Sequence, residues 1–99
     1  MDYKKLKIIH LDKLNDNIVV GVNFRDENTK LKAIDKDKSF FLNEFKNKKI
    51  RIEGSNYSKE ANIVDIEVSS NIAEMKMMHF LTDLKSIDEM KENDNVEVL

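Results

Sequence analysis

Ile18, Val20, Val22 and Phe24 occupy every second position of one eight-residue run, with Val19, Gly21, Asn23 and Arg25 between them. Side chains alternate between faces only in a strand, so period two with β-branched residues commits Ile18 to Arg25 to a half-buried strand. A strand with one apolar face needs partners, and the chain supplies them. Lys4 to Leu11 reads as a strand with Leu6 and Ile8 on one face, joined to the first by the turn signal Asn15-Asp16-Asn17. Gly21, inside the alternating run, marks a bulge or a close backbone approach.

Asp26 to Thr29 is a four-residue connection, so Lys30 to Lys36 is expected to return as the next strand of a hairpin. The period then changes. Ser39 can cap a helix over 39–47 in which Phe41, Leu42 and Phe45 share a face. Lys49 to Glu53 and Asn62 to Val68 read as strands, the second with Val64, Ile66 and Val68 facing one way, and Gly54 to Ala61 between them as a polar loop.

The resulting order, β-β-β-α-β-β, resembles that of the OB-fold, a five-stranded antiparallel barrel. The resemblance is one of architecture. The expected class is therefore α+β: a small five-stranded antiparallel barrel or curved sheet.

Ala73, Met77, Phe80, Leu84 and Ile87 recur at spacings of four, three, four and three, and Asn71 with Glu74 forms a capping pair. This predicts a C-terminal amphipathic helix over 70–92. On that helix Met75, Met78, Thr82 and Lys85 fall opposite the seam. An alternative is an extended segment over 72–81 with Ala73, Met75, Met77 and Leu81 on one face. The division is then a single domain, 1–99, comprising a barrel-like core (1–69), the helix (70–92) and an acidic tail or edge strand (93–99).

The 99 residues suit one domain. Cys is absent, which excludes disulfides and thiolate metal sites. With no long apolar run, the chain reads as cytoplasmic and not membrane-bound, in a bacterial cell or phage-infected host given its Lys, Asn, Ile and Asp bias. Pro is absent and Gly occurs twice, leaving Asn and Asp to make the turns.

No catalytic constellation emerges. Two distant glycines cannot form a phosphate loop, and neither His10 nor His79 accompanies a serine motif. His79 and Asp83 would share a helix face but supply only two metal ligands, and His10, in phase with Leu6 and Ile8, is expected to be partly buried. The carboxylate pairs Asp35/Asp37, Asp65/Glu67 and Asp88/Glu89 lack an apolar setting. The chain is therefore expected to be no enzyme and to need no cofactor or metal.

Charge is split: residues 1–51 hold 13 Lys or Arg against 8 Asp or Glu, and residues 52–99 hold 4 against 11. Two function classes follow. The first is a protein-binding module, such as a small phage-borne inhibitor or adaptor of a host protein, using Met75, Met78, Thr82 and Lys85; it would be a monomer, or a homodimer through the C-terminal helix. The second is a single-stranded nucleic-acid binder using the basic region with Arg25, Lys30, Lys32 and Lys36, and Tyr57 as a stacking platform. Because only Tyr57 sits in a predicted loop as an exposed ring, the first class is favoured.

Overall fold

A computed structural model describes residues 3–33, 35–70 and 76–99. The elements are β1 (Lys5–Leu14), β2 (Asn17–Phe24), α1 (Glu27–Ala33), α2 (Lys38–Phe45), β3 (Lys49–Glu53), β4 (Ser58–Ser70), β5 (Lys76–Thr82) and β6 (Asn95–Val98). The six strands close into an antiparallel barrel in the order β1-β2-β5-β4-β3-β6, with β6 completing the ring between β3 and β1. A barrel of this size is filled by its own side chains. Leu6, Ile8, Val20, Val22, Phe24, Ile50, Ile52, Phe80, Val96 and Val98 do this from all six walls except β4, which adds Ala61, Ile63 and Ile66.

The barrel expected from the sequence is thus present, with six strands where five were expected. Three corrections follow from particular residues. Lys30 to Lys36 is not a strand, because α1 runs from Glu27 to Ala33. Asp26 starts it: its carbonyl accepts from Lys30 N–H (3.1 Å) and its carboxylate from Thr29 Oγ1 (3.1 Å). Thr29 and Ala33, four apart, are the buried pair, and Leu31 is left in solvent. A short connection is as compatible with a following helix as with a returning strand.

The second correction concerns α2, which forms as expected but is capped by Asp37, not Ser39. The Asp37 carboxylate accepts from Phe40 N–H (3.0 Å), and Phe41 and Phe45 are buried beneath the helix. The third is the largest. The described part of the expected C-terminal helix is β5, followed by an irregular segment to β6. Met78 and Phe80 point into the barrel, and Leu84 and Ile87 pack on the core from that irregular segment. Helix-like spacing arose from two different structures in succession. Of the two alternatives for 93–99, the strand is found, as β6, but it is paired on both sides and is not an edge.

Turns are made by the residues expected to make them. The described non-glycine residues in the left-handed region are Asn15 (φ 57°), Asn47 (64°), Asp88 (49°) and Asn93 (74°). Asn and Asp tolerate this conformation where other side chains clash.

Two bulges break the registers. One lies between Ile8 and His10 in β1, the other between Ile63 and Asp65 in β4. Each inserts a residue and reverses which face the rest of the strand presents. Beyond the β1 bulge, Leu11 packs on the core, so His10 and Asp12 turn outward. Beyond the β4 bulge, Ile66 is buried, so Asp65 and Glu67 turn outward, and Val64 at the bulge is 55% exposed. Unbroken alternation from Leu6 and Ile63 would have aimed His10, Asp12, Asp65 and Glu67 into the barrel.

Candidate functional site

Strand pairing assembles one outer face from β1, β2, β5 and β4. Asp12 lies opposite Val19, Val19 opposite Leu81, and Leu81 opposite Asp65. This row crosses four strands with an apolar pair at its centre and a carboxylate at each end. The neighbouring row is His10, Gly21, His79 and Glu67. Val19 and Leu81 are half-buried, and Leu14, where β1 ends, is 56% exposed. Leu14, Val19 and Leu81, with Asp65, Glu67 and His79, line an open groove of about 400 Å³. A smaller cleft of about 140 Å³ lies between α2 and β4, lined by Lys38, Leu42, Lys46 and Val64 among others.

Gly21 permits the two histidines to approach. A Cβ there would stand 3.1 Å from His10 Cβ and 3.2 Å from His79 Cδ2. The His10 and His79 rings meet edge to face at 6.5 Å. His10 is exposed, where the sequence predicted partial burial, because the bulge turns it outward.

Charge on this face is sparsely compensated. Asp12 Oδ1 accepts from Lys13 N–H (2.7 Å) and Asp65 Oδ1 from Ile66 N–H (2.8 Å), both local backbone bonds. Glu67 accepts from Lys38 Nζ at 2.9 Å, which raises the lysine pKa, and Asp65 adds to that field. At the Leu14 end, Lys85 Nζ donates to Asn17 Oδ1 (2.7 Å).

The residues expected to bind protein do not share a surface. Met78 is 0% exposed between Val22 and Val68 in the pairing, and Thr82 is also buried. Thr82 Oγ1 donates to the Ile18 carbonyl (2.8 Å) and accepts from Leu84 N–H (3.2 Å). Lys85 is exposed, and Met75 lies outside the described residues. Of the expected helix, residues Lys76–Thr82 form strand β5, and its period of two sends Met78 and Thr82 inward.

The basic set is also dispersed. Arg25 straps the barrel: Nε donates to Leu6 O (2.6 Å) and Nη2 to Val96 O (3.1 Å), joining β2 to strands β1 and β6. Lys30 pairs with Glu27 on α1 (3.0 Å), Lys36 lies over the Phe40 ring (5.2 Å), and Lys32 is exposed on the helix. Tyr57 is half-buried, its ring against Gly54 and its hydroxyl donating to Asp94. Burial, with that hydrogen bond, pushes its pKa far up.

His79 and Asp83 part company as well. Asp83, beyond the end of β5, accepts from Asn62 N–H (2.9 Å) and Asn62 Nδ2 (2.7 Å), and the backbone bond is the main cause of its lowered pKa. Of the other carboxylates, Asp88 and Glu89 flank Lys59 (3.7 and 3.1 Å). Among the described residues, no three His, Cys, Asp or Glu side chains are grouped to hold a metal ion, and no helix is long and apolar enough to cross a membrane.

No protein-family model, curated protein or solved structure matches this chain. Any functional reading rests on the geometry of the groove.

Proposed function

We propose that this chain is a non-catalytic binding protein that acts through protein–protein contact, made by the groove on the outer face of β1, β2, β5 and β4. The observation that supports this is the apolar floor formed by exposed Leu14 with half-buried Val19 and Leu81, on a wall whose alternate positions already fill the core. Large apolar side chains grouped on an outer sheet face suit burial against a partner. The nucleic-acid reading draws less support, because Arg25 and Tyr57 are occupied in holding the barrel together.

The test is capture of a partner from native lysate by the full chain, with and without nuclease, compared with Leu14→Glu and with Val19→Thr. Capture that survives nuclease, is lost in either variant, and leaves the melting temperature unchanged supports the proposal. Capture indifferent to both variants, or abolished by nuclease, overturns it. A second copy as the occupant would instead give a dimer by light scattering that Leu14→Glu dissociates.

A further inference from the structure

We infer that the segment accepted by the groove carries a large apolar anchor bracketed by two cationic side chains. The inference rests on the docking reading above and specifies its partner. It is carried by the transverse row Asp12, Val19, Leu81, Asp65. Three inter-strand steps separate the two aspartates, roughly 14 Å at the usual strand spacing. Between them the surface is apolar, so an apolar anchor placed on Val19 and Leu81 brings its flanking residues over carboxylates.

The charges favour a cationic visitor. Asp12 has no cation among the described residues, and its carboxylate bonds only the next backbone N–H. Glu67 pairs with Lys38 at 2.9 Å, and Asp65 acts on that lysine only through its field. Lys85 is engaged by Asn17 at the Leu14 end, off the Asp12–Asp65 row. Asp65 and Glu67 thus line the groove and Asp12 ends the row beside it, and among the described residues only Glu67 of the three holds a lysine in an ion pair. The two bulges strengthen the case, since each turns one end of this row outward. Bulges re-aim side chains at functional surfaces.

The spacing suits ordinary polypeptide. Residues four apart in an extended strand, or seven apart in a helix, lie about 13 and 10 Å apart, and lysine side chains span the remainder. Either backbone can therefore present the pattern, and the recognised chemistry is cation, apolar anchor, cation.

The experiment is a titration of the ¹⁵N-labelled full chain with three synthetic peptides. They share a central Leu-Leu and differ only in the flanking pair: Lys, Gln or Glu. The Lys peptide should shift the amides of residues 12–14, 19–21, 65–67 and 79–81. It should bind about 2- to 30-fold tighter than the Gln peptide, as two exposed ion pairs allow, and lose that advantage as salt rises. Asp12→Asn with Asp65→Asn should erase the difference while retaining the fold, since an amide oxygen still accepts from Lys13 and Ile66 N–H. Equal binding of all three peptides at this face would overturn the inference and leave the docking reading standing. Shifts confined to the α1 lysines, or none with any peptide, would overturn both.

Discussion

Met78→Ala separates a residue that packs a barrel from one that decorates a helix. Met78 is fully buried on β5, between Val22 on β2 and Val68 on β4, in a core shared with Phe80 and Ile66. Truncating a buried Met to Ala removes apolar contacts and leaves a cavity, at a cost of about 2–5 kcal/mol. The neighbours here are fixed by strand pairing on both sides and can collapse little, so about 3 kcal/mol is expected. A domain this small has roughly 5–15 kcal/mol in total. The loss should appear in urea unfolding followed by circular dichroism as a midpoint lower by about 1–3 M at unchanged slope. Heating should show a fall of roughly 12–24 °C. On the outer face of a surface helix the same change would stay within about 0.5 kcal/mol. A variant that unfolds with the parent's midpoint would refute the placement of Met78 and, with it, the β5 register.

Two further outcomes follow from individual contacts. Arg25→Met removes two hydrogen bonds to the Leu6 and Val96 carbonyls and should cost about 2 kcal/mol after allowance for its partial exposure. Thermal unfolding measures this, and a phosphate-contact role would instead leave the melting temperature in place while weakening nucleic-acid binding. Tyr57 predicts an alkaline limit: its raised pKa means the folded state keeps a proton that the unfolded state releases above about pH 10. Its contribution is full below that pH and declines above it, so Tyr57→Phe should flatten the alkaline arm of a stability–pH curve, and an unchanged arm would refute the assignment.

How far the sequence could be read depended on whether the information was local. The alternation of β2, the short strand β3 and the Phe41/Phe45 face of α2 are written within eight residues or fewer, and each is found in the fold. The α1 segment misled because the length of the Asp26–Thr29 connection carries no tertiary context; burial of Thr29 and Ala33 chose the helix. β5 misled because Phe80 packs inward from a strand while Leu84 and Ile87 reach the same core from a loop. The bulges were invisible for the opposite reason. Asn62 to Val68 was recognised as a strand, but with Val64 beside Ile66 on one face, and a single inserted residue separates them. The outer row beside the groove joins residues 12, 19, 65 and 81 by register across four strands, and no local pattern encodes that. The alternation of Asp65 and Glu67 with apolar residues did mark an outward face, and that was the one available signal.

The place of β6 in the ring bears on how the chain reaches this fold. Asn95–Val98 pairs with β1 on one side and β3 on the other, so the first strand and the last are neighbours separated by most of the sequence. During synthesis the barrel stays open until these four residues emerge. Until then the exposed edges of β1 and β3 are templates for any other extended chain. Pairing of strands so far apart in sequence also raises the mean separation of contacting residues, which slows folding. The interval between emergence of β5 and capture of β6 is when this protein is most exposed to misassociation.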